Sequence, residues 1–482
     1  MPNDTAPPAP VLDPGAAAVP QAPTREPFRG LIWLVSAAFF MQALDSTIVN
    51  TAVPAMAQAL AVTPLGMRSA LTSYVLTLAI LIPASPWLCD RFGTRRVFGA
   101  AIAVFALGSL FCGIAQTLPQ LVAARVMQGV GGAALMPVGR YVLVRSIARH
   151  EFVRVMSTVA TFGLLGSVLG PLLGGALVEF TSWRLIFLIN VPVGIAGLWM
   201  NKRDMPDYRL HHANRFDLFG FLLFGAASAL LLTASELVGD QHVAWGRVGE
   251  CVALALLLGV TYLWHSRRTA FPVADLALLK VRSVWVALAG NLFTRLGISG
   301  MFLLLVLFLQ VGCGWSPLMA GLMMVPQALG SISAKWLVNR ALARLGYRRL
   351  LLGNTLLVAL LLASFALFGR TTPAWLIASM VFLYGSFAGM QYTVMNTLIY
   401  HDLDIRHASM ASSMASTAQY LSMSFGIALA TLLMESLLQG HAHSDYVAAF
   451  RWTVLLLALV TASASRVFGR LRPDRPGPTK GT

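Results

Sequence analysis

Three charged residues lie deep inside long apolar stretches of this 482-residue chain: Asp45, Arg125 and Arg295. A carboxylate within a membrane costs free energy unless it is paired, protonated or in contact with water. Low dielectric favours the protonated acid and a nearby cation favours the carboxylate, so a change of conformation can decide whether Asp45 holds a proton. This is the chemistry of proton coupling, although a carboxylate that only links helices is an alternative for Asp45.

The two arginines need partners because a guanidinium in such a place stays charged. Arg125 lies about six residues, or ~9 Å, from the outer end of its helix, and Asp45 lies about nine residues, or ~13 Å, from the outer end of its own. We therefore expect Arg125 to contact Asp45, directly or through water, and to regulate its proton affinity; outward snorkelling is the alternative. Arg295 lies about twelve residues, or ~18 Å, from the other end of its helix. That depth favours contact with a substrate or with Asp45.

The elements that must position these residues are membrane-spanning helices. The sequence is 57% hydrophobic and 11% charged, with a mean hydropathy of +0.72, and its apolar runs are about 20 residues long, enough to cross a bilayer. These runs predict an all-α polytopic membrane protein. The predicted helices cover 31–54, 69–88, 97–115, 119–143, 155–180, 183–200, 217–236, 246–265, 283–309, 317–339, 350–368, 373–397, 408–434 and 450–468.

The basic residues predict the orientation of these helices. The net charge of +16 would suggest nucleic-acid binding in a soluble protein, but 26 of the 35 Lys and Arg residues fall in the tails and in alternate gaps between helices. This distribution follows the positive-inside rule and places both termini in the cytoplasm. The lipid bilayer is therefore the expected partner, and nucleic-acid binding is not needed to explain the positive charge. The Pro- and Ala-rich residues 1–27 and the end 471–482 are predicted to be cytoplasmic tails, the first of them disordered.

An internal repeat predicts how the helices are grouped. Residues 90–96 and 343–349 both read x-Arg-apolar-Gly-x-Arg-Arg, with an offset of 253 residues. The predicted architecture is a six-helix bundle at 28–200, a cytoplasmic joint with two extra helices at 201–282, and a second six-helix bundle at 283–470. Such repeats place a substrate site between the bundles near mid-membrane. The same offset makes Gln42, one turn before Asp45, the counterpart of Arg295.

Four motifs give the chain a resemblance to a known family. They are the stretch 40–54 around Asp45, the stretch 125–132 that begins Arg-Val-Met-Gln-Gly, the stretch 166–175, and the loop 90–96. Together they resemble the major facilitator superfamily, in particular its fourteen-helix drug:proton antiporters of the EmrB/QacA type, and within these the MdtD group of exporters. The resemblance implies the major facilitator fold of two six-helix bundles plus two extra helices.

The resemblance also implies roles for two of these motifs. The loop would form a conformational latch at the cytoplasmic side, although Pro86 and Cys89 depart from the usual pattern. The stretch 166–175 would seal one helix against the opposite bundle and favour exchange over leakage. The latch residues are Asp90, Arg91, Gly93 and Arg95, and the residues of the antiporter motif are Gly166, Gly170, Pro171, Gly174 and Gly175.

These residues predict a proton-driven exporter in a bacterial-type inner membrane. Asp45 and Arg125 would couple protons, and the expected substrate contacts are Arg295, Gln42, Asn396, Gln419 and Tyr420. No metal site, cofactor motif, nucleotide-binding loop or catalytic constellation is visible, so we expect no enzyme activity and expect the proton gradient to supply energy. The substrate is expected to be a drug-like small molecule or, alternatively, an organic anion or metal–carboxylate chelate. The chain is expected to act as a monomer, with accessory proteins allowed; a non-transporting membrane sensor or assembly partner is the alternative of another class.

Overall fold

The computed structural model is built of helices. It describes residues 28–209, 216–238, 244–269, 272–273, 276–403, 408–439 and 445–471. The predicted tail 1–27, the tail residues 472–482 and part of the predicted joint, 210–215, lie outside the described residues.

The described residues contain fourteen helices that are long and apolar enough to cross a membrane, as the sequence predicts. They are numbered helix 1 to helix 14 in chain order. Helices 10 and 11 form one continuous element, which is divided by a break in the backbone at Gly346. The bounds are Phe28–Ala59, Arg68–Phe92, Thr94–Ile114, Leu118–Ser146, Arg149–Phe180, Leu185–Asp204, Leu218–Val238, Trp245–Ser266, Arg282–Gly312, Pro317–Ser364 for helices 10 and 11 together, Ala374–Leu398, Ala408–Gln439 and Tyr446–Phe468.

The two copies of the repeat turn the chain in the same way. Gly93 has φ +90° and separates helix 2 from helix 3, and Gly346 has φ +69° and separates helix 10 from helix 11. Glycine adopts positive φ without the steric cost that a Cβ brings. A single glycine therefore reverses the chain, so the predicted gap 340–349 is wrong: those residues are helical apart from Gly346.

Helix 1 is longer than predicted and contains a proline. Helix 1 continues through Pro54 to Ala59 rather than stopping at 54. Proline lacks only its own backbone donor and can be accommodated within a membrane helix. Helices 4, 10 and 14 begin at polar caps, where a side-chain oxygen accepts a hydrogen bond from a backbone N–H two or three residues later; the caps are Thr117, Ser316 and Asp445.

Buried apolar residues show how the two bundles meet. Because successive helices alternate in direction, the start of helix 1 and the end of helix 14 share one face of the protein, here called the termini face, and the opposite face is called the far face. One core cluster in the far-face half takes buried residues from both bundles, such as Ile48 and Leu304. Two clusters in the termini-face half take their buried residues from one bundle each, including Phe98 and Phe468. The buried apolar contacts between the bundles are therefore concentrated at the far face.

The two extra helices lie beside this junction. Helices 7 and 8 pack on each other, and helix 7 also packs on helix 2 of the first bundle and helix 13 of the second. At their termini-face end, Nε2 of His265 lies 2.6 Å from Oδ1 of Asp217, which also accepts a hydrogen bond from the backbone N–H of Gly220. Helix 7 therefore contacts both bundles along the seam between helices 2 and 13.

Candidate functional site

Asp45 is completely buried and is held by three side chains from two other helices of the first bundle, helices 4 and 6. Its Oδ2 accepts a hydrogen bond of 2.8 Å from Nη1 of Arg125, and its Oδ1 accepts bonds of 2.8 Å from Gln128 and 3.4 Å from Asn190. These are the contacts of an acid that is paired and solvated by the protein rather than by water. Asp45 pairs with Arg125, as the similar depths predict, and the described residues show no pairing with Arg295.

Arg125 is 2% exposed and makes contacts with three helices besides its own. Its Nε donates to the carbonyl oxygen of Ala70 on helix 2 over 3.4 Å, and its guanidinium carbon lies 4.1 Å from the ring centroid of Tyr74. Its Nη1 donates to Oε1 of Gln128 over 2.5 Å as well as to Asp45. The predicted alternative, a snorkelling Arg125, is wrong because neighbouring helices provide the acid, the carbonyls and the aromatic face that a buried guanidinium needs.

Gln128 is the central hydrogen-bonding residue of this network and was not predicted as a site residue. Its Nε2 donates to Asp45 and, over 2.7 Å, to the hydroxyl of Ser109 on helix 3, which also lies 3.4 Å from Nδ2 of Asn190. Helix 3 can approach because Gly108 faces Gln128: a Cβ at Gly108 would lie 2.5 Å from the backbone nitrogen of Gln128. A glutamine one turn after Arg125 in an apolar helix was the available sequence signal. Asn190 on helix 6 also belongs to this network.

Arg295 lies on helix 9 in the second bundle and is 6% exposed. Its Nε donates to Oδ1 of Asn291 over 2.6 Å, and its guanidinium carbon lies 4.0 Å from the ring centroid of Tyr392. Within the described ranges it forms no ion pair. Nearby on the same helix, Nδ2 of Asn291 and Oγ1 of Thr294 are buried without a hydrogen-bond partner in the described part of the chain. Arg295 is thus a buried cation with no acidic partner in the described part of the chain.

The other predicted substrate contacts lie in different environments. Gln42 is buried, and Tyr420 is half-buried with its hydroxyl 4.0 Å from Sδ of Met136 in the opposite bundle. Gln419 is half-buried and Asn396 is exposed. The structure therefore places Tyr420 between the bundles, and within its described part Asn396 forms no hydrogen bond with Arg295.

The predicted latch residues bind the segment that follows helix 6. Arg95 donates from Nε to the carbonyl oxygen of Met205 over 2.6 Å and from its backbone N–H to Oδ1 of Asp207 over 3.2 Å. A Cβ at Gly93 would lie 2.3 Å from that same oxygen. Asp90 accepts a 3.4 Å hydrogen bond from Tyr141.

Arg91 is exposed, and no ion pair joins Asp90 to Arg91 or Arg95 among the residues described. In this conformation Asp90 and the arginines of its loop therefore form no charge cluster among the described residues. The loop's contacts run to residues 205–208 instead, where carbonyl oxygens and Asp207 satisfy Arg95 and Thr94.

The antiporter motif on helix 5 contacts two different partners. Three of its glycines, Gly166, Gly170 and Gly174, face helix 1. An added Cβ would lie 2.5 Å from the Phe40 carbonyl oxygen at the first of them, and 2.0 and 2.3 Å from threonine hydroxyl oxygens at the second and third. Only Gly175 and Pro171 touch the opposite bundle, at Pro317 and Gly321 of helix 10. Helix 5 therefore packs on the opposite bundle through Gly175 and Pro171, whereas its three glycines at spacing four pack on helix 1. Spacing of four keeps residues on one helix face, and that face meets helix 1.

Polar contacts join the two bundles at the far face. Arg68 on helix 2 pairs with Glu435 on helix 13 and donates to the backbone oxygen of Glu236 on helix 7 over 3.0 Å. Oε2 of Glu179 accepts a 2.9 Å hydrogen bond from the backbone N–H of Leu318 at the start of helix 10, and Gln310 donates to the Thr51 carbonyl over 2.9 Å. These contacts join helix 2 to helices 7 and 13, helix 5 to helix 10, and helix 1 to helix 9 at the far face.

Comparisons with known proteins agree with this architecture. The Major Facilitator Superfamily profile matches residues 35–427. The chain is 40% identical over 450 residues to "Putative multidrug resistance protein MdtD" of Serratia proteamaculans, covering 92% of this chain and 93% of that protein. The protein of the same description from Cronobacter sakazakii is 41% identical over 451 residues, covering 92% and 95%.

Solved structures of low sequence identity share the fold. The nucleoside transporter NupG has a TM-score of 0.64 at 11% identity, covering 91% of this chain and 98% of that one. A bacterial homolog of the human lysosomal transporter Spinster, in an inward-facing and occupied conformation, has a TM-score of 0.63 at 14% identity, covering 92% and 97%. The sequence-based expectations of a transporter fold, of likeness to the MdtD group and of no enzyme are confirmed. With fourteen helices in its described part that are long and apolar enough to cross a membrane, the chain belongs to the Major Facilitator Superfamily of transporters.

Proposed function

We propose that the protein is a secondary active exporter that exchanges protons for a drug-like small molecule by alternating access. The observation that carries the proposal is the buried Asp45–Arg125 pair, with an N–O distance of 2.8 Å. A carboxylate inside a membrane protein is costly and is typical of proton relays. Loss of the Arg125 contact in another conformation would leave Asp45 to be protonated, which provides the exchange step that an antiporter requires.

Helix 2 supports a link between this pair and the movement of the bundles. The carbonyl oxygen of Ala70 accepts a hydrogen bond from Arg125, and the carbonyl oxygen of Thr72, two residues later, accepts one of 3.2 Å from Ser424 in the second bundle. Arg68, two residues earlier, pairs with Glu435 of the same opposing helix. One short segment of helix 2 therefore touches both the partner of Asp45 and the opposite bundle. Separation of helices 2 and 13 would therefore move the helix 2 carbonyl oxygen that Arg125 contacts.

The proposed membrane is the bacterial inner membrane, with the termini face toward the cytoplasm because the basic residues favour that side. In this orientation the buried apolar contacts between the bundles are concentrated on the side away from the cytoplasm, which supports a conformation that is open toward the cytoplasm and closed at the far face. In such a state an exporter has released its proton to the cytoplasm and binds its solute from the cytoplasm. The proton gradient is the proposed energy source, and the chain is proposed to act without a resident cofactor or metal.

Proton-driven uptake into everted membrane vesicles tests the proposal. Wild-type protein should accumulate an exported dye when a proton gradient is imposed and should stop when the gradient is collapsed. Asp45→Asn should abolish gradient-driven uptake, and Asp45→Glu should retain part of it because an acid is still present. Intact gradient-driven uptake by a well-folded Asp45→Asn variant would remove Asp45 from the mechanism.

A second candidate, favoured by Arg295, is export of an organic anion or a metal–carboxylate chelate. Asp45 is already neutralised by Arg125, whereas Arg295 is buried without an acidic partner among the described residues. An uncompensated guanidinium with an aromatic neighbour would bind a carboxylate bidentately. Arg295→Ala should therefore abolish uptake of an anionic dye in everted vesicles and spare a cationic one. If cationic dyes move and anionic dyes are not transported even by the wild type, the anion candidate fails.

A further inference from the structure

An apolar hollow lies on the outside of the first bundle, between helices 2, 3 and 4. Its volume is about 360 Å³, and it opens between Phe92 and Val130, which are 47% and 45% exposed. Both residues lie within membrane-spanning helices, so the opening faces lipid rather than the space between the bundles. The hollow is separate from the Asp45 network and from the far-face contacts.

The hollow exists because small residues form its floor. Ala101 and Gly131 are buried where helices 3 and 4 come closest, and a Cβ at Gly131 would lie 2.4 Å from the backbone nitrogen of Phe105. No larger side chain fits at Gly131 without separating the helices. Ala100 and Ala134 extend the lining with equally short side chains. The short side chains consequently leave a space between the helices that the lining residues do not fill.

Arg96 lines the termini-face end of the hollow. It is exposed and forms no hydrogen bond or ion pair with the residues described, in contrast to its neighbour Arg95, which is bound to the Met205 carbonyl. From Arg96 the hollow reaches Val104, eight residues or about 12 Å along helix 3, close to the depth of one leaflet. An unpaired cation thus lies at headgroup level above an apolar space one acyl chain deep.

We propose that this hollow binds an anionic phospholipid, with one acyl chain between helices 2, 3 and 4 and the phosphate paired with Arg96. An acyl chain in a bilayer is already away from water, so the hollow offers shape and dispersion contacts rather than hydrophobic transfer. Preference among lipids must then come from the headgroup. Basic pockets between membrane helices on the cytoplasmic side suit anionic headgroups for this reason.

The repeat provides a matched comparison within the same chain. The 253-residue offset relates Arg96 to Arg349, which is equally exposed, and relates Gly131 to Tyr384. Contacts support this register over these helices: Gly132 faces Tyr74, and their counterparts 253 residues later, Gly385 and Gln327, face each other. The second bundle therefore has the arginine but a buried tyrosine at the position of the small floor residue. Only Arg96 combines the cation with the lining of the hollow described above.

Native mass spectrometry of the purified full-length protein tests the site with two probes, phosphatidylglycerol and phosphatidylcholine. The wild type should retain one phosphatidylglycerol in preference to phosphatidylcholine. Arg96→Gln should weaken the retained phosphatidylglycerol about fivefold, equivalent to about 1 kcal/mol for one basic side chain at the membrane surface. Ala100→Leu, which fills the hollow, should displace the lipid with Arg96 in place, and Arg349→Gln should have no effect.

Three results would overturn the proposal. They are equal retention of the two lipids by the wild type, unchanged phosphatidylglycerol binding by Arg96→Gln, or an equal loss in Arg349→Gln, which would indicate general surface charge. Thermal melting in phosphatidylcholine alone identifies variants that are simply unfolded. Ala100 is exposed, so Ala100→Leu tests the hollow without altering the buried core.

Discussion

The ion pair between Arg68 and Glu435 should hold the far face closed. The two side chains are 7% and 18% exposed, so they are largely but not completely removed from water. Hydrogen bonds to charged groups contribute about 1.5–3 kcal/mol, and the partial exposure of Glu435 places this one toward the lower end, at about 1.5–2 kcal/mol. This free energy favours the conformation in which helices 2 and 13 touch at the far face.

Arg68→Gln should therefore shift the conformational equilibrium by a calculable amount. Since each 1.4 kcal/mol is a factor of ten, the ratio of closed to open far faces should fall about 10- to 30-fold. A population that is about 99% closed would become about 90% to 77% closed. The open fraction would then rise from a trace to about a tenth or a quarter of the molecules, which is within reach of distance measurements.

Spin labels at Gln116 and Thr371 would report the opening, because these exposed residues lie in far-face loops of different bundles. Double electron–electron resonance should show a longer distance gaining population in Arg68→Gln and in Glu435→Gln. The double variant should open no further than either single variant, since both remove the same contact. Arg184→Gln is the control, because Arg184 donates to the Ala115 carbonyl within the first bundle.

The reasoning is refuted if Arg68→Gln leaves the distance distribution unchanged. It is also refuted if the effects of Arg68→Gln and Glu435→Gln add, which would mean that the two residues act independently. An equal opening in Arg184→Gln would assign the effect to loss of any far-face cation rather than to this pair.

Further predictions concern stability and can be measured as thermal melting of the purified protein. Gly170→Ala should lower the melting temperature because its Cβ would meet a helix 1 hydroxyl at 2.0 Å, whereas Gly163→Ala, with nothing within 4 Å, should not; equal effects would contradict the packing argument. Gly93→Ala should cost about 1–3 kcal/mol because φ there is +90°, and wild-type stability would show that the loop can relax. Asp45→Asn should cost about 3–5 kcal/mol by leaving the buried Arg125 without its acid, and the additional change Arg125→Gln should recover part of it; no recovery would argue against the pair.

The sequence predicted the features that depend on one helix at a time. Apolar length predicted the number of crossings, and both copies of the repeat lie where one helix ends and the next begins, with Gly93 and Gly346 at positive φ. The distance of each residue from its helix end predicted that Asp45 and Arg125 lie at a similar depth in the membrane, and in the structure they form an ion pair of 2.8 Å. Each of these inferences uses distance along a helix axis, which follows directly from residue number.

What could not be predicted depends on the rotation of each helix about its axis. Gly170 and Gly175 are five residues apart on helix 5, yet one packs on helix 1 and the other on helix 10 of the opposite bundle. The hydrogen bond from Gln128 to Asp45 joins residues 83 positions apart on different helices. A motif shows that small or polar residues share a face, but the partner of that face is set by packing of all the neighbouring helices together.

The two bundles share a backbone repeat but differ in buried charge. This difference favours different roles for the two bundles in transport. In the first bundle the buried arginine, Arg125, is neutralised by an acid, whereas in the second Arg295 is bound by an amide and lies over an aromatic ring. When Asp45 is protonated and its salt bridge with Arg125 breaks, the net charge of the site rises by only one unit. An uncompensated guanidinium such as that of Arg295 instead attracts a ligand that carries a negative charge. Proton handling would then belong to the first bundle and solute contact to the second. Helix 2 would have to transmit one event to the other, because its segment 68–72 touches both Arg125 and helix 13.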